Sequence, residues 1–156
     1  MTIQELGSLG EFVAAIATLA TLIYLALQIR RNTTATRAMS YQSVTDARNL
    51  VNLSITQNSE LSRIFLAGSA DREALSPEDR LRFDFTCLSY LHVVETMHYQ
   101  ASSGTGEQSL LKAEERSLRD LMSVPGIRAW WCENPYAFDP EFRAYIDNFL
   151  ENESKS

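Results

Sequence analysis

The chain has 156 residues, about the size of one ordinary domain, and its 20 acidic and 14 basic residues give a formal net charge of −6. This excess of acid argues against a generic electrostatic footprint for nucleic acid, so no nucleic-acid partner is predicted. The two cysteines, Cys87 and Cys132, lie outside any CxxC spacing and indicate neither a zinc site nor a disulfide framework.

An apolar segment from Phe12 to Ile29 dominates the N-terminal part and contains no charged side chain. At ~1.5 Å per residue, a helix of this length spans roughly 27 Å, close to the ~30 Å hydrocarbon core of a bilayer. The sequence therefore predicts a transmembrane helix within residues 1–31 and a helical domain over residues 32–156. The alternative is a central helix of a soluble bundle, but the remaining chain would then have to cover it on nearly all sides.

The charges on either side of this segment predict its orientation. The leading flank contains only the acids Glu5 and Glu11, whereas Arg30, Arg31 and Arg37 follow the segment. A cleaved signal peptide has the opposite pattern, so the segment is expected to be retained. The positive-inside rule then places the N-terminus outside and the C-terminal domain in the cytoplasm.

One face of the predicted membrane helix carries mainly small and polar side chains. Its members recur at the three- and four-residue spacing of a coiled-coil seam, and they are Glu11, Ala14, Thr18, Thr21, Leu25, Gln28 and Asn32. Because Glu11 and Gln28 would be costly in lipid and small residues let helices approach closely, this seam predicts homo-oligomerisation. In the alternative, the threonine hydroxyls bond the carbonyls four residues earlier within an isolated helix.

Local signals predict the first helices after the membrane segment. A helical pattern continues until Asn58, which is expected to cap a short helix that Gly68 ends. Ser76 and Pro77 form the clearest helix start in the chain. The helix that they open is predicted to run to about Gln100 and is apolar almost all the way round, so a central position in the domain is expected.

Three further helices are predicted after a loop at residues 102–106. An amphipathic helix ends near Pro125, a short helix carries Trp130 and Trp131, and Pro140 begins the last helix. No alternating strand pattern occurs in the sequence. The predicted fold is therefore all-α, with a single N-terminal transmembrane helix that continues into a cytoplasmic helical bundle.

The order of these segments resembles a family of small bacterial proteins of uncharacterised function. The matching parts are LGEFVAAIATLATLIYLALQIRRNT, SELSRIF, LSPEDRLRFD, and VPGIRAWW followed by FDPEFRAYID. In that family the motif Arg128-x-Trp130-Trp131 recurs between a proline-glycine turn and a terminal Pro-Glu-Phe helix. The resemblance covers most of the chain and implies an N-terminal anchor, here in a bacterial inner membrane, and a helical domain. It implies no activity, so it transfers no catalytic residues.

Four polar side chains interrupt the apolar sequence of the central helix, namely His92, Glu95, His98 and Tyr99. Glu95-x-x-His98 is the local spacing of di-iron carboxylate bundles, but the second Glu-x-x-His of those sites is absent. His92 lies roughly two turns from His98, too far for one metal ion to be held in comfort. A hydrogen-bonded cluster or polar groove is therefore favoured, with no metal or cofactor, and an acid/base pair that includes Glu95 is an alternative.

Trp130 and Trp131 are adjacent, and neighbouring side chains on a helix point about 100° apart. One tryptophan is expected in the core. The other, with Arg128, is expected in a groove or at a subunit contact, where tryptophan is favoured. A packing role for both is nevertheless the favoured interpretation, because aromatic side chains are generally buried.

These features favour a non-enzymatic, homo-oligomeric, single-pass membrane protein whose cytoplasmic helices form a scaffold or a binding domain. The predicted partners are the lipid bilayer and further copies of the chain. One alternative is a pore that Thr18, Thr21 and Gln28 line in a ring of subunits. Another is a membrane-tethered enzyme that uses Glu95 and the nearby histidines. No Gly-rich phosphate loop, nucleophile elbow or Ser/His/Asp arrangement in the sequence supports catalysis, and no small-molecule ligand is indicated.

Overall fold

The computed structural model describes residues 3–153, without the side chains at positions 5, 6, 149, 152 and 153. These residues form six α-helices, one short 3₁₀ helix and no strand, so the predicted all-α fold is confirmed. The α-helices are α1 (Ile3–Thr56), α2 (Ser59–Ala70), α3 (Pro77–Ser102), α4 (Gln108–Met122), α5 (Pro125–Glu133) and α6 (Pro140–Glu153). The 3₁₀ helix, Pro135–Ala137, lies between α5 and α6.

The chain divides into two compact units, residues 1–38 (unit 1) and residues 39–156 (unit 2), and α1 contributes to both. The predicted boundary after residue 31 follows the end of the apolar segment, whereas the compact units divide after Ala38. In unit 1 every described side chain is exposed. Among the described helices, one is long and apolar enough to cross a membrane, namely α1 over Gly7–Thr56. None of its most apolar stretch is buried.

The main core of unit 2 is built around α3. Apolar side chains of α3 meet those of α2, α4, α5 and α6, and the fully buried members include Phe83, Leu91, Ile64, Leu118, Ile127, Phe142 and Ile146. The predicted central position of α3 is confirmed. Its apolar surface is not covered all round, however, because Leu81 and Phe85 are exposed.

The two predicted helix caps are present. The side chain of Asn58 accepts a hydrogen bond from the backbone N–H of Leu61 at 3.0 Å and begins α2. Ser76 accepts one from the backbone N–H of Asp79 at 3.2 Å, and Pro77 occupies the first turn of α3. Each cap satisfies a backbone donor that a helix start leaves without an internal partner.

The prediction that Gly68 ends α2 is wrong, because the helix continues to Ala70 and Asp71 caps it. Gly68 is instead buried where α5 crosses α2. A Cβ atom at Gly126 of α5 would overlap the carbonyl oxygen of Gly68, and one at Gly68 would lie against the Phe83 ring. The two glycines therefore allow two helix backbones to pack in close contact.

A second, smaller core cluster holds the C-terminal part of α1 against the rest of unit 2. Val44 of α1 is buried with Val93 and Met97 of α3. Partly buried apolar side chains surround this cluster, namely Val51, Leu110 and Leu111. The segment from residue 39 to residue 56 thus belongs to the folded domain, although its sequence continues the helix of the apolar segment.

Candidate functional site

The polar side chains that interrupt α3 pair with the segment from residue 137 to residue 145. Glu95 Oε1 accepts a hydrogen bond from the backbone N–H of Asp139 at 2.7 Å. The His92 ring packs edge-on against Phe138, with 5.1 Å between the ring centroids. The His98 ring lies 4.7 Å from the ring of Tyr145. These contacts position the start of α6 against α3.

A cleft of about 290 Å³ opens between α3 and the start of α6, and we call it the α3–α6 cleft. Its lining comprises Glu95, Thr96, His98, Tyr99, Ser102, Asp139, Glu141 and Phe142. Three of the predicted polar residues therefore share one groove, and Tyr99 at its rim is 72% exposed. His92 lies instead in a separate groove of about 230 Å³ with Ser43 and Ala47 of α1.

The described part of the chain contains no cluster of side chains suited to binding a metal ion. Within residues 3–153, no group of three or more His, Cys, Asp or Glu side chains is placed to hold a metal ion. Of the two cysteines, Cys132 is exposed and Cys87 is buried in the main core. Burial raises the pKa of the Cys87 thiol from its ordinary value of 9.0 to about 12, so this thiol stays protonated at neutral pH.

Both tryptophans belong to the core, each with 2% of its surface exposed. The packing role for both is therefore confirmed, and the alternative that one of them lies in a surface groove or at a contact is wrong. The Phe138 ring packs against both indoles, at 6.2 Å from Trp130 and 5.2 Å from Trp131, and so covers the second face of α5. Trp131 Nε1 also donates to Asp147 of α6 at 3.1 Å, whereas Arg128 is exposed.

A buried arginine that sequence reasoning missed connects three elements of unit 2. Arg72, in the loop between α2 and α3, is 5% exposed. It donates to both oxygens of Asp84 on α3, at 2.7 and 2.9 Å, and to Glu133 at the end of α5, at 2.7 Å. The hydrogen bonds with Asp84 raise the pKa of Arg72, and Arg72 lowers the pKa of Glu133. A short loop with an arginine beside acids looks like any exposed loop, so the sequence contains no signal for this pairing.

A second buried charge network joins α1, α3 and α4. Glu114 of α4 is 2% exposed and lies 3.0 Å from Arg48 Nη1 of α1. The Tyr90 hydroxyl of α3 donates to the other Glu114 oxygen at 2.6 Å. Burial, and then the adjacent Glu114 carboxylate, raise the pKa of Tyr90. Because a buried carboxylate needs a partner, the ion pair with Arg48 holds residues 39–56 of α1 against α4 within unit 2.

All the described side chains of the predicted seam, from Glu11 to Asn32, are exposed on α1. The Thr18 hydroxyl donates to the carbonyl of Ala14 at 2.9 Å, and the Thr21 hydroxyl donates to that of Ala17 at 2.8 Å. This is the local bonding that was the alternative to contacts between helices. The threonine donors are thus satisfied within the helix and do not require a neighbouring subunit.

Comparison with protein-family models, with curated proteins and with solved structures finds no match to this chain. The features that bear on its function are those of the chain itself. They are the exposed apolar helix of unit 1, the α3–α6 cleft, and the two buried charge networks of unit 2.

Proposed function

We propose that this protein is a homo-oligomeric, single-pass membrane protein that holds unit 2 at the cytoplasmic face as a scaffold or binding domain. The observation that carries the proposal is the exposure of the whole apolar segment from Phe12 to Ile29. Phe12 itself is 64% exposed, and the buried members of both core clusters all belong to unit 2. An exposed apolar surface of this length requires an apolar medium, which a bilayer provides.

The charges that flank the segment support the orientation. Arg30 and Arg31 are exposed directly after the apolar segment, and Glu11 precedes it. Arginines beside an anionic cytoplasmic leaflet contribute about 1 kcal/mol each to membrane association. Unit 2 follows these arginines in the chain and is therefore assigned to the cytoplasm.

Self-association is proposed through the small and polar face of the same helix. Gly10 and Ala14 permit close approach of two backbones, and a Cβ atom added at Gly10 would meet nothing within 4 Å. Gln28 is exposed near the end of the apolar segment, where an amide bonded to a second copy avoids an unsatisfied polar group in lipid. Because Thr18 and Thr21 bond their own helix, close packing and Gln28 are the main contributors to the proposed contact.

Membrane fractionation of the full chain with a reporter fused after Ser156 tests the anchor and its orientation. We expect the protein to remain in the membrane pellet after alkaline carbonate extraction, because the apolar segment is inserted. A cytoplasmic reporter at this position should be active and a periplasmic one inactive. The matched control is Ile16→Arg with Ile23→Arg, which places two charges in the exposed apolar surface and should release the protein.

Two results would overturn the proposal. Recovery of the unaltered full chain in the carbonate supernatant would remove the anchor, whatever the state of unit 2. Activity of the periplasmic reporter would reverse the orientation and remove the cytoplasmic assignment of unit 2.

A further inference from the structure

The C-terminal part of α1, residues 39–56, is held on unit 2 by a small apolar contact, and we call this segment the α1 arm. The structure describes every residue of the α1 arm, and Val44 alone among them is buried. Its buried partners are Val93 and Met97 of α3. The main core, by contrast, contains thirteen buried side chains, and all of them follow α1 in the chain. The α1 arm is therefore attached by a much smaller apolar contact than those that hold the other helices together.

Two grooves, each of about 230 Å³, border this contact. Ser43 and Ala47 line the first groove, and Thr45 and Asn52 line the second. Because neighbouring side chains on a helix point about 100° apart, these two pairs lie on opposite sides of Val44. Val44 itself borders both grooves. Solvent therefore reaches the contact from both sides, and its buried part is about one side chain wide.

The ion pair that joins the α1 arm to α4 adds orientation more than stability. Arg48 Nη1 lies 3.0 Å from the Glu114 carboxylate, which is 2% exposed, whereas the Arg48 side chain is 40% exposed. In a buried ion pair the cost of removing water from the charges largely offsets their attraction. If the α1 arm moves away, both charges regain water, and the Tyr90 hydroxyl of α3 still donates to Glu114. The pair therefore opposes opening only weakly while both partners are present.

The connection to α2 provides a hinge. Gln57 and Asn58, both exposed, separate the end of α1 from the start of α2. The Ser62 hydroxyl of α2 donates to the carbonyl of Ile55 at 2.5 Å and keeps this end of the α1 arm close to α2. A rotation about residues 57–58 consequently moves Val44 much further than Ile55.

We propose that the α1 arm opens from unit 2 while the main core stays folded, so that unit 2 has a closed state and an open state. Opening exposes the apolar side chains of Val93 and Met97 on α3 and of Leu110 on α4, and it hydrates Glu114. Segments with few buried apolar contacts open at free energies well below that of global unfolding. The inference concerns unit 2 alone and goes beyond the proposed function, because it does not depend on a membrane.

Thiol labelling of the full chain in a non-ionic maltoside detergent tests the proposal. Met97→Cys combined with Cys132→Ser places one thiol beneath the α1 arm and keeps Cys87 in the main core. Met97 and Cys87 are almost equally buried, at 4% and 3% exposure. Iodoacetamide should label position 97 at least about tenfold faster than Cys87, because only position 97 is exposed by local opening. Equal rates for the two thiols, measured by mass spectrometry of the peptides, would overturn the proposal.

A matched control accounts for the volume lost at position 97. Leu118→Cys, also combined with Cys132→Ser, makes a similar reduction in volume at a wholly buried position of the main core. This thiol should be labelled as slowly as Cys87. Labelling at position 118 as fast as at position 97 would show that the substitution itself causes the exposure, and it would overturn the proposal.

Two further variants separate opening of the α1 arm from global unfolding. Ile146→Val weakens the main core and should accelerate labelling of Cys87 by about two- to tenfold while position 97 is unchanged. The rate at position 97 is unaffected because Ile146 stays buried in both states of the α1 arm. Equal acceleration of the two thiols would mean that both are labelled through the same unfolding, and it would overturn the proposal.

Arg48→Met acts on the α1 arm itself. It leaves Glu114 buried without a cation in the closed state only, so labelling at position 97 should accelerate at least about tenfold. Adding Glu114→Gln removes the buried charge and should reverse most of this acceleration. A rate at position 97 that Arg48→Met leaves unchanged would overturn the proposal.

Discussion

The two units of this protein contain similar apolar side chains, but the chain itself buries only those of unit 2. In unit 2, Phe83, Leu91 and Ile146 are wholly enclosed by other helices of the same chain. In unit 1, Phe12 and Ile23 are more than half exposed, and nothing in the described chain covers them. Apolar sequence thus indicates that a side chain must leave water, but it does not say whether protein or lipid will receive it.

Charged side chains differ between the units in the same way. Unit 2 contains Arg72 and Glu114 in its interior, each with partners at hydrogen-bonding distance. The apolar segment of unit 1 contains no charge at all between Phe12 and Ile29. Within a folded domain a buried charge can be paired by a distant part of the chain, whereas a single helix has no such partner to offer.

The largest expected effect is on the free energy of unfolding of unit 2, when one of its two core tryptophans is replaced. Trp130→Ala should lower the free energy of unfolding of unit 2 by about 3 to 5 kcal/mol, because it leaves a cavity in the main core. Trp131→Ala should cost a comparable amount, since this indole is equally buried and also loses its bond to Asp147. Near-ultraviolet circular dichroism during denaturation of the full chain in detergent measures both.

The matched control for the tryptophans is Leu19→Ala, on the exposed surface of unit 1. This substitution should leave the denaturation midpoint of unit 2 unchanged, because Leu19 has no part in its core. A mild effect of Trp131→Ala beside a large effect of Trp130→Ala would contradict the burial of both indoles.

A smaller effect is expected at the crossing of α2 and α5. Gly126→Ala should destabilise unit 2 by about 1 to 3 kcal/mol, because the added methyl group overlaps the backbone of Gly68 and the helices must separate. Gly10→Ala, on the exposed surface of unit 1, is the control and should not alter the unfolding of unit 2. Equal stability of the two variants in urea denaturation would show that the helices do not meet at Gly126.

Alkaline pH should destabilise unit 2 through Cys87. Because the folded pKa of this thiol is raised to about 12, the thiol ionises first in the unfolded chain, near its ordinary pKa of 9.0. Its contribution is therefore complete below pH 9 and is lost as the pH rises toward 12. By pH 10 the loss should be about 1 kcal/mol in urea denaturation.

Two cysteine variants check this assignment. Cys87→Ala should reduce the dependence of stability on pH between 8 and 10, whatever its own cost at pH 7. Cys132→Ala should retain the dependence, since this thiol is exposed in the folded chain. Identical pH profiles for all three proteins would exclude Cys87 as the source.

The smallest effect is expected in unit 1. Thr18→Leu with Thr21→Leu should shift the oligomer distribution toward smaller species, because leucine prevents close approach of the helices, but the change should stay below about 2 kcal/mol. The effect is small because both hydroxyls bond their own helix. Mass photometry in nanodiscs measures it, with Leu19→Ala and Leu22→Ala as the control on the opposite face.

An unchanged oligomer distribution in the threonine variant would show that the two threonines are not part of the proposed contact. A distribution that is unchanged while ion flux through the oligomer changes would favour a pore over a scaffold. These outcomes decide between two hypotheses that the sequence leaves open, because both use the same face of α1.

Much of the secondary structure could be predicted from local chemistry. Asn58 and Ser76 begin α2 and α3 because their side chains bond backbone donors only three residues later. One wall of the groove, which carries Glu95 and His98, could be predicted for a similar reason, since residues three apart on a helix share a face. The sequence could not show that its other wall is the start of α6, more than forty residues later along the chain.

The sequence by itself determined that the chain is all-α, that helices begin at local caps, and that one apolar segment is uninterrupted. These three features depend only on residues that are neighbours in the chain. Only the tertiary structure decided that Gly68 lies in a close helix crossing instead of ending a helix, since the decisive contact is Gly126 of α5. It likewise decided that Phe138 covers the second indole and that Arg72 reaches Glu133. In each case the contacting residue comes from a distant segment of the chain. The periodicity of one helix shows which face is apolar, but it does not show which segment packs against that face.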